Sequence, residues 1–267
     1  MRNEGPLLDI AGVTKAFGGL RAVDDASFAI DAGTVTALIG PNGAGKTTLF
    51  NTITGFMRCD AGRVRFNGQD ITGLTPHVIA ALGLVRTFQI PRAMTRMTVL
   101  DNMMLAAPRQ PGEVFGAALV FPRRVARHEQ SVRERAYELM RLVRLDRLAL
   151  DYAGTLSGGQ RKLLEFGRIL MTEPKMILLD EPMAGVNLTL GIELLDHMLA
   201  LRKDRGITFL FIEHDMDVVM SYGERVIVMD EGSVIANGTP AKVRADPRVA
   251  EAYLGSDSES SSPMEVS

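Results

Sequence analysis

One stretch constrains the fold of this chain more than any other: Gly40-Pro41-Asn42-Gly43-Ala44-Gly45-Lys46-Thr47-Thr48, which matches the pattern G-x-x-x-x-G-K-[ST]. Residues 34–39, just before it, are β-branched and apolar and predict a short buried strand. Residues 48–53, just after it, predict the first turns of a helix. A strand, a glycine-rich loop and a helix in this order are the setting that the pattern requires, and they indicate an α/β fold.

The residue types in this stretch suit a phosphate-binding loop. Its glycines allow successive backbone N–H groups to point at phosphate oxygens, where a Cβ atom would obstruct them. The ammonium of Lys46 would lie on the β- and γ-phosphates, and the hydroxyl of Thr47 would bind Mg²⁺. We therefore predict that residues 40–48 bind a nucleoside triphosphate.

Composition and charge exclude several other classes of protein. The 267 residues suffice for one large domain or two small ones, and 46% hydrophobic and 23% charged residues are typical of a globular protein. A net charge of −2 provides no basic field that would attract nucleic acid or anionic lipid. The single cysteine, Cys59, cannot form an internal disulfide, which favours a reducing compartment.

The sequence lacks the usual signals for entering a membrane. Residues 1–6 do not form the apolar run of a secretory signal, and no stretch approaches the ~20 apolar residues that span a bilayer. The densest apolar stretch, Ile207–Ile212, has the length of a strand. If the protein serves a membrane, we expect it on the cytoplasmic face, as a peripheral protein bound to other subunits.

The N-terminal part predicts a second kind of sheet. Leu7–Val13 and Ala26–Ile30 alternate apolar and polar residues, which is typical of a half-exposed antiparallel sheet. Phe17 lies between them and is a candidate platform for the adenine ring, since a flat aromatic face can stack on a base. A phenylalanine buried in the core is nearly as good an interpretation of Phe17 from the sequence alone.

The middle of the chain, from Pro91 to about Thr155, has a helical character. Val125–Leu145 carries an apolar stripe at helical spacing and predicts an amphipathic helix. Its arginines are interspersed with glutamates, so a solvated helix face explains them better than a nucleic-acid surface. We predict a helical subdomain inserted between strands of the nucleotide-binding core.

A second motif, Leu156-Ser157-Gly158-Gly159-Gln160, precedes another predicted helix. On its own it indicates only a turn with a serine N-cap. Together with the phosphate-binding loop, it resembles the signature of ABC-type ATPases. Further elements of that family occur in order: a strand at Lys175–Leu179 ending in Asp180-Glu181-Pro182, and the strand at Ile207–Ile212 ending in Glu213-His214-Asp215.

This resemblance, which covers nearly the whole chain, implies a fold and a domain arrangement. Residues 7–255 would form a single ABC ATPase domain with a P-loop NTPase core, in which a mostly parallel sheet is flanked by helices. Residues 7–90 and 156–255 would form the core together with an N-terminal antiparallel β subdomain, and about 91–155 the α-helical insert. The serine-rich, acidic residues 256–267 are expected to be a disordered tail.

The resemblance also assigns an ATPase activity and roles in it. Catalysis would involve Glu181, which orients or deprotonates the attacking water, His214, which contacts the γ-phosphate, and Gln89. Mg²⁺ would be held, partly through water, by Thr47, Gln89 and Asp180.

The signature implies a partner. A helix N-terminus with two glycines is an anion site, and it lies far along the chain from the phosphate-binding loop. In the family, Ser157 and Gly159 of one subunit would complete the ATP site of a second ATPase subunit in a head-to-tail dimer, identical or different. Asn187 stands where many relatives carry aspartate, so no proton-transfer role is assigned to it.

Local sequences narrow the resemblance further. Arg86-Thr87-Phe88-Gln89, Ile212–Met216 and Ala252-Tyr253-Leu254-Gly255 are similar to the LivG-type ATPases of branched-chain amino-acid importers. The implied partners are integral membrane permease subunits and, indirectly, an extracytoplasmic substrate-binding protein. Two alternatives stay open: the ATPase of a lipid or lipopolysaccharide exporter, and a non-transport cytosolic ABC ATPase.

Overall fold

The computed structural model describes residues 5–87, 93–108, 122–185 and 188–259. The strands in these ranges are β1 (Leu8–Phe17), β2 (Leu20–Ile30), β3 (Val35–Ile39), β4 (Ala61–Phe66), β5 (Gln69–Asp70), β6 (Leu84–Arg86), β7 (Met176–Asp180), β8 (Thr208–Ile212), β9 (Arg225–Asp230) and β10 (Ser233–Gly238). The helices are α1 (Lys46–Ile53), α2 (Pro76–Ala81), α3 (Val99–Leu105), α4 (Pro122–Leu142), α5 (Gly158–Met171), α6 (Leu188–Arg205), α7 (Met216–Tyr222), α8 (Pro240–Arg244) and α9 (Pro247–Glu259).

The larger sheet has the strand order β10-β9-β3-β8-β7-β6. Its neighbours from β9 to β6 are parallel, and only β10 runs antiparallel, beside β9. Every residue of β3, β7 and β8 is buried, which explains why these strands are continuous apolar runs rather than alternating ones. The predicted mostly parallel sheet is confirmed.

The smaller sheet is antiparallel, with the order β2-β1-β4-β5, as the N-terminal pattern predicted. The hairpin β1–β2 is longer than the predicted segments Leu7–Val13 and Ala26–Ile30. The pairing shifts register between Ile10 and Val13 and again around Lys15. These bulges interrupt the alternation of apolar and polar residues, although the two strands stay paired. The alternation in the sequence therefore predicts strands that are shorter than the observed ones.

The described chain forms two compact units. The first comprises both sheets and lies within residues up to Arg86, Lys175–Pro182 and residues from Met198 onward. The second lies within Thr87–Pro174 and Met183–His197, a larger set than the helical insert predicted at about residues 91–155. The domain boundaries inferred from the sequence therefore stay a prediction.

Helix α4 of the second unit carries the predicted apolar stripe. Ala136, Leu139 and Met140 are buried, as is Val143 just beyond the helix, whereas Arg123, Arg124, Arg127 and Arg133 are exposed. The helix begins and ends three residues earlier than predicted, and Arg144, just beyond it, adopts a left-handed φ of 54° that a continuing helix does not allow. In the part of the chain that the structure describes, no helix is both long and apolar enough to cross a membrane.

The C-terminal helix α9 corrects one expectation. It runs through Glu259, so residues 256–259 are helical and not part of a disordered tail as predicted. Proline is absent between Ser256 and Glu259, so no residue there interrupts the backbone hydrogen bonds of a helix already begun at Pro247. The remaining residues of the predicted tail, 260–267, lie outside the described residues.

A strained residue after α5 provides a test of the local energetics. Glu173 comes directly after the C-cap Thr172, is exposed and has a left-handed φ of 54°. Since a residue with a Cβ is strained there and glycine is not, Glu173→Gly should raise the free energy of unfolding by about 0.5–1 kcal/mol. Chemical denaturation measures this change. The control Glu129→Gly, at an exposed position within α4, should lower it by about 1 kcal/mol, and a loss of stability in both variants would contradict the interpretation.

Candidate functional site

The predicted functional residues of the first unit meet at one edge of the larger sheet. Strands β3, β8 and β7 are adjacent and parallel, so the segments after them leave the sheet at the same edge. A cavity of about 200 Å³ at this edge is lined by Ala22, Asn42, Gly43, Ala44, Gly45, Lys46, Thr47, Thr48, Glu181 and His214. The predicted phosphate-binding loop, Glu181 of the acidic pair and His214 thus come together, although they are far apart in the sequence.

The loop after β3 requires glycine at two positions. Gly40 has φ of 149°, and a Cβ atom on it would lie 2.0 Å from the carbonyl oxygen of Met229. Gly45 has φ of 93°, and its Cβ would lie 2.1 Å from the carbonyl oxygen of Ala22. Because these neighbours are backbone atoms, they cannot turn aside as side chains do. The loop is therefore held between β2 and β9, and α1 begins directly after it.

Lys46 is a buried cation at the first position of α1. Only 6% of the residue is exposed, and its Nζ donates hydrogen bonds to the carbonyl oxygens of Gly40 at 2.7 Å and Pro41 at 2.8 Å. Burial lowers the pKa of Lys46, and the nearby carboxylates of Glu181 and Asp180 act in the opposite direction. Its ammonium is held at the loop by carbonyl dipoles and can interact with an anion in the cavity.

Asp180 and Glu181 are neighbours in the sequence but have different partners. Asp180 ends β7, its side chain is only 1% exposed, and it accepts a hydrogen bond from Nη2 of Arg86. Glu181 has left the strand with a left-handed φ of 48°, and its Oε1 lies 2.8 Å from Nε2 of His214. Two carboxylates thus stand side by side without competing for one position.

Arg86 was missed as a site residue by the sequence interpretation. It ends β6, beside β7, and its Nη1 donates a hydrogen bond to Oδ1 of Asn51 at 2.5 Å. Its guanidinium also lies 5.6 Å from the centre of the Phe50 ring. The sequence shows Arg86 three residues before Gln89, but it gives no sign that Arg86 pairs with a carboxylate. That carboxylate, Asp180, lies 94 positions later.

The oxygen donors at this edge suit a magnesium ion. The hydroxyl of Thr47 and the carboxylate of Asp180 are hard ligands of the kind that Mg²⁺ prefers. Among the described residues, no group of three or more histidine, cysteine, aspartate or glutamate side chains could hold a metal ion.

Phe17 lies at the end of β1, where it pairs with Leu20 across the turn. It is 48% exposed, and the ammonium of Lys15 lies 5.6 Å from the centre of its ring. The alternative that Phe17 belongs to the core is wrong. Its exposed face suits a stacking platform, which stays a prediction.

The signature lies in the second unit, at the start of α5. Ser157 is the N-cap: its Oγ accepts a hydrogen bond from the N–H of Gln160 at 3.2 Å, and its own N–H donates to Oε1 of Gln160 at 2.9 Å. This capping box fixes the helix start and gives Gln160 a role within its own chain. Gly158 and Gly159 begin the helix with backbone N–H groups that have no acceptor within the helix.

Two residues singled out from the sequence, Gln89 and Asn187, lie outside the described residues. A third residue of interest, Tyr253 in α9, was missed as a contact of the phosphate-binding loop. Burial raises the pKa of Tyr253, while a backbone hydrogen bond from Gly40 acts to lower it. A hydrogen bond that favours the phenolate is one donated to its oxygen, so the Gly40 N–H contacts the C-terminal helix.

Comparisons with known proteins agree with this geometry. The family model for ABC transporters matches residues 23–184, and a model for branched-chain amino acid ATP-binding cassette transporters matches residues 233–259. A probable branched-chain amino acid transport ATP-binding protein LivG from Archaeoglobus fulgidus is 41% identical, over 95% of this chain and 97% of its own. The high-affinity branched-chain amino acid transport ATP-binding protein BraF of Pseudomonas aeruginosa is 41% identical, over 94% and 98%.

Solved structures of ATP-binding cassettes have the same fold as this chain. An ATP-binding cassette of an ABC transporter in its ADP conformation superposes with a TM-score of 0.79 at 43% identity, covering 93% of this chain and 98% of that one. A cassette in a dimeric post-hydrolysis state, bound to ADP and Pi, superposes with a TM-score of 0.71 at 25% identity, covering 87% and 98%. The matched motifs, the nearly full coverage and the shared fold lead to one conclusion: this chain belongs to the ABC transporter ATP-binding proteins, in the group that includes LivG and BraF.

Proposed function

We propose that this chain is the ATP-hydrolysing subunit of a membrane importer for branched-chain or related amino acids, bound peripherally at the cytoplasmic face. The observation that carries the ATPase assignment is a cavity that the phosphate-binding loop, Glu181 and His214 line together. The substrate class is supported by the names of LivG and BraF relatives of nearly the same length. No residue of this chain is proposed to touch the amino acid.

ATP is bound mainly through the loop after β3. Residues 40–48 surround the phosphates, with Lys46 turning from the carbonyls of Gly40 and Pro41 towards the β- and γ-phosphates. The exposed ring of Phe17 stacks on the adenine. Thr47, Asp180 and Gln89 would hold Mg²⁺, partly through water, and the ion would neutralise charge on the phosphates.

Hydrolysis depends on the pair Glu181 and His214. Glu181 is 29% exposed at the side chain, so it can reach a water molecule in the cavity and accept its proton. His214, at 2.8 Å, holds the Glu181 carboxylate in place and can donate to the γ-phosphate once that carboxylate moves to the water. A general base of this type contributes about 10²–10⁴-fold to the rate.

The signature acts on the ATP of a second cassette. The start of α5 offers the backbone N–H groups of Gly158 and Gly159 and the hydroxyl proton of Ser157, all of them donors. Donors at a helix N-terminus favour an anion, so the γ-phosphate of a partner subunit is the complementary group. A related cassette crystallises as a dimer, which supports this arrangement. The partner is a second ABC ATPase, and permease subunits complete the transporter.

The first prediction concerns Glu181. Glu181→Gln keeps the size of the side chain but removes the base, so ATP affinity should stay within about threefold while turnover falls about 10²–10⁴-fold. Isothermal titration measures binding, and phosphate release measures turnover. The control is Glu129→Gln, the same change on the exposed face of α4, which should alter neither. Turnover at the normal rate in Glu181→Gln would remove Glu181 from its role.

The second prediction concerns the signature, with hydrolysis blocked by Glu181→Gln. Both Asn and Asp are good N-caps, so Ser157→Asn and Ser157→Asp should preserve α5 equally. Only Asp places a negative charge where the partner's γ-phosphate is proposed to lie. The ATP-dependent dimer should therefore be about tenfold or more weaker in the Asp variant than in the Asn variant, as measured by sedimentation. Equal dimerisation of the two would contradict a phosphate at this position.

The third prediction concerns transport. When the chain is reconstituted in liposomes with its permease subunits and partner ATPase, a leucine-loaded binding protein should stimulate ATP hydrolysis. The same binding protein without amino acid is the matched control and should stimulate it less. Failure to copurify with any integral membrane protein would instead support a non-transport ATPase. Stimulation by lipid or lipopolysaccharide alone would support an exporter.

A further inference from the structure

Arg86 and Asp180 form a buried ion pair beside the proposed nucleotide site. Their side chains are only 11% and 1% exposed, and Nη2 of Arg86 donates to Oδ2 of Asp180. The pair joins β6 to β7, two adjacent strands in which Arg86 lies level with Leu178. At this depth, an unpaired carboxylate is strongly unfavourable, so Asp180 requires a nearby cation.

Arg86 has other partners besides Asp180. Its Nη1 donates to Oδ1 of Asn51, and its guanidinium lies 5.6 Å from the centre of the Phe50 ring, both of them residues of α1. A cation over an aromatic face is stabilised even without a carboxylate. The guanidinium can therefore release Asp180 while it stays bound to the helix after the phosphate-binding loop.

Asp180 also interacts with Lys46 of the phosphate-binding loop. Its carboxylate, with that of Glu181, opposes the burial that lowers the pKa of Lys46, so its charge reaches the phosphate-binding loop. A divalent cation at Asp180 would bring a third positive group to a carboxylate that already interacts with two. Repulsion between like charges at short range in a buried setting is large, so the arginine and the metal ion compete for this carboxylate.

We propose that Arg86 is a positioning residue that serves as the resident counter-ion of Asp180 and exchanges with Mg²⁺, and thereby sets how strongly nucleotide binding depends on Mg²⁺. This proposal rests on the proposed function, because it takes Asp180 as the residue that holds Mg²⁺. With Arg86 in place, the charge of Asp180 is neutralised and phosphates are not repelled in the absence of metal. Without Arg86, Asp180 keeps only the more distant influence of Lys46, and its charge is balanced mainly by Mg²⁺.

The test is the ratio of the ADP dissociation constant in EDTA to that in Mg²⁺. In Arg86→Gln this ratio should rise about tenfold above the wild-type ratio, within the usual range of coupling between two sites. The rise should come mainly from weaker binding in EDTA. Isothermal titration measures the constants, and ADP avoids any contribution from hydrolysis. The thermal shift on adding Mg²⁺ and ADP should likewise be larger in the variant than in the wild type.

Two controls separate this role from a purely structural one. Arg202→Gln removes another partly buried arginine, which pairs with Glu224 and donates to the carbonyl oxygen of Gly33 at 2.9 Å. It should lower stability without changing the ratio. In an Asp180→Asn background, Arg86→Gln should no longer change the ratio, because the charge through which Arg86 acts is gone.

An unchanged ratio in folded Arg86→Gln would overturn the proposal. If that variant does not fold, Arg86→Lys keeps the positive charge without the planar fork, so its ratio should stay close to the wild-type value, and a rise as large as that expected for Arg86→Gln would contradict a role through charge. A crystal structure of the wild type with Mg²⁺ and ADP decides independently: an Arg86–Asp180 hydrogen bond that persists there contradicts exchange. If the wild type binds no ADP in either condition, the proposed function fails instead.

Discussion

The parallel alignment of β3, β8 and β7 is the constraint on which the site depends. Leu38 of β3 and Asp180 of β7 both lie level with Ile212 of β8, so the three strands end side by side. Three segments must then emerge at one edge: the loop to Lys46, the pair Asp180 and Glu181, and the segment with His214. Every residue of the three strands is buried, so the alignment is stabilised by the same apolar packing that forms the core. The chemistry is placed by the sheet and not by local motifs.

Charge at this edge is balanced within the protein. Lys46 is a buried cation and Arg86 a partly buried one, and the carboxylates of Asp180 and Glu181 are held by Arg86 and His214. Removing Arg86 would leave the buried carboxylate of Asp180 without the cation that it pairs with. A magnesium nucleotide carries both positive and negative charge. It can therefore replace ion pairs within the protein by ion pairs between protein and ligand, without a large change in the total charge of the site. Such a site can bind a highly charged ligand at modest structural cost.

Features encoded by local pattern could be predicted from the sequence, and features that depend on distant partners could not. The glycine-rich loop before α1, the buried strands and the serine cap of α5 each depend on a few neighbouring residues. The sequence predicted the position of each, and the structure has them there. The full length of β1 and β2 was missed because bulges interrupt the alternation. The pair of Arg86 with Asp180 joins residues 94 positions apart, and the contact of Tyr253 with Gly40 joins residues even farther apart. A single sequence carries no signal for such contacts.

The two glycines of the signature differ in whether the fold of this chain requires them. A Cβ atom on Gly159 would lie 2.1 Å from Cδ2 of Leu190, so packing within the chain favours glycine there. Gly158 has no left-handed φ, and among the described residues nothing lies within 4 Å of the position its Cβ would take. Glycine is a weaker helix former than alanine, and nothing in the described chain explains its presence at position 158. The close approach of a partner's phosphate to the helix start would explain it, since a side chain there would obstruct that approach and leave this subunit's own fold unchanged.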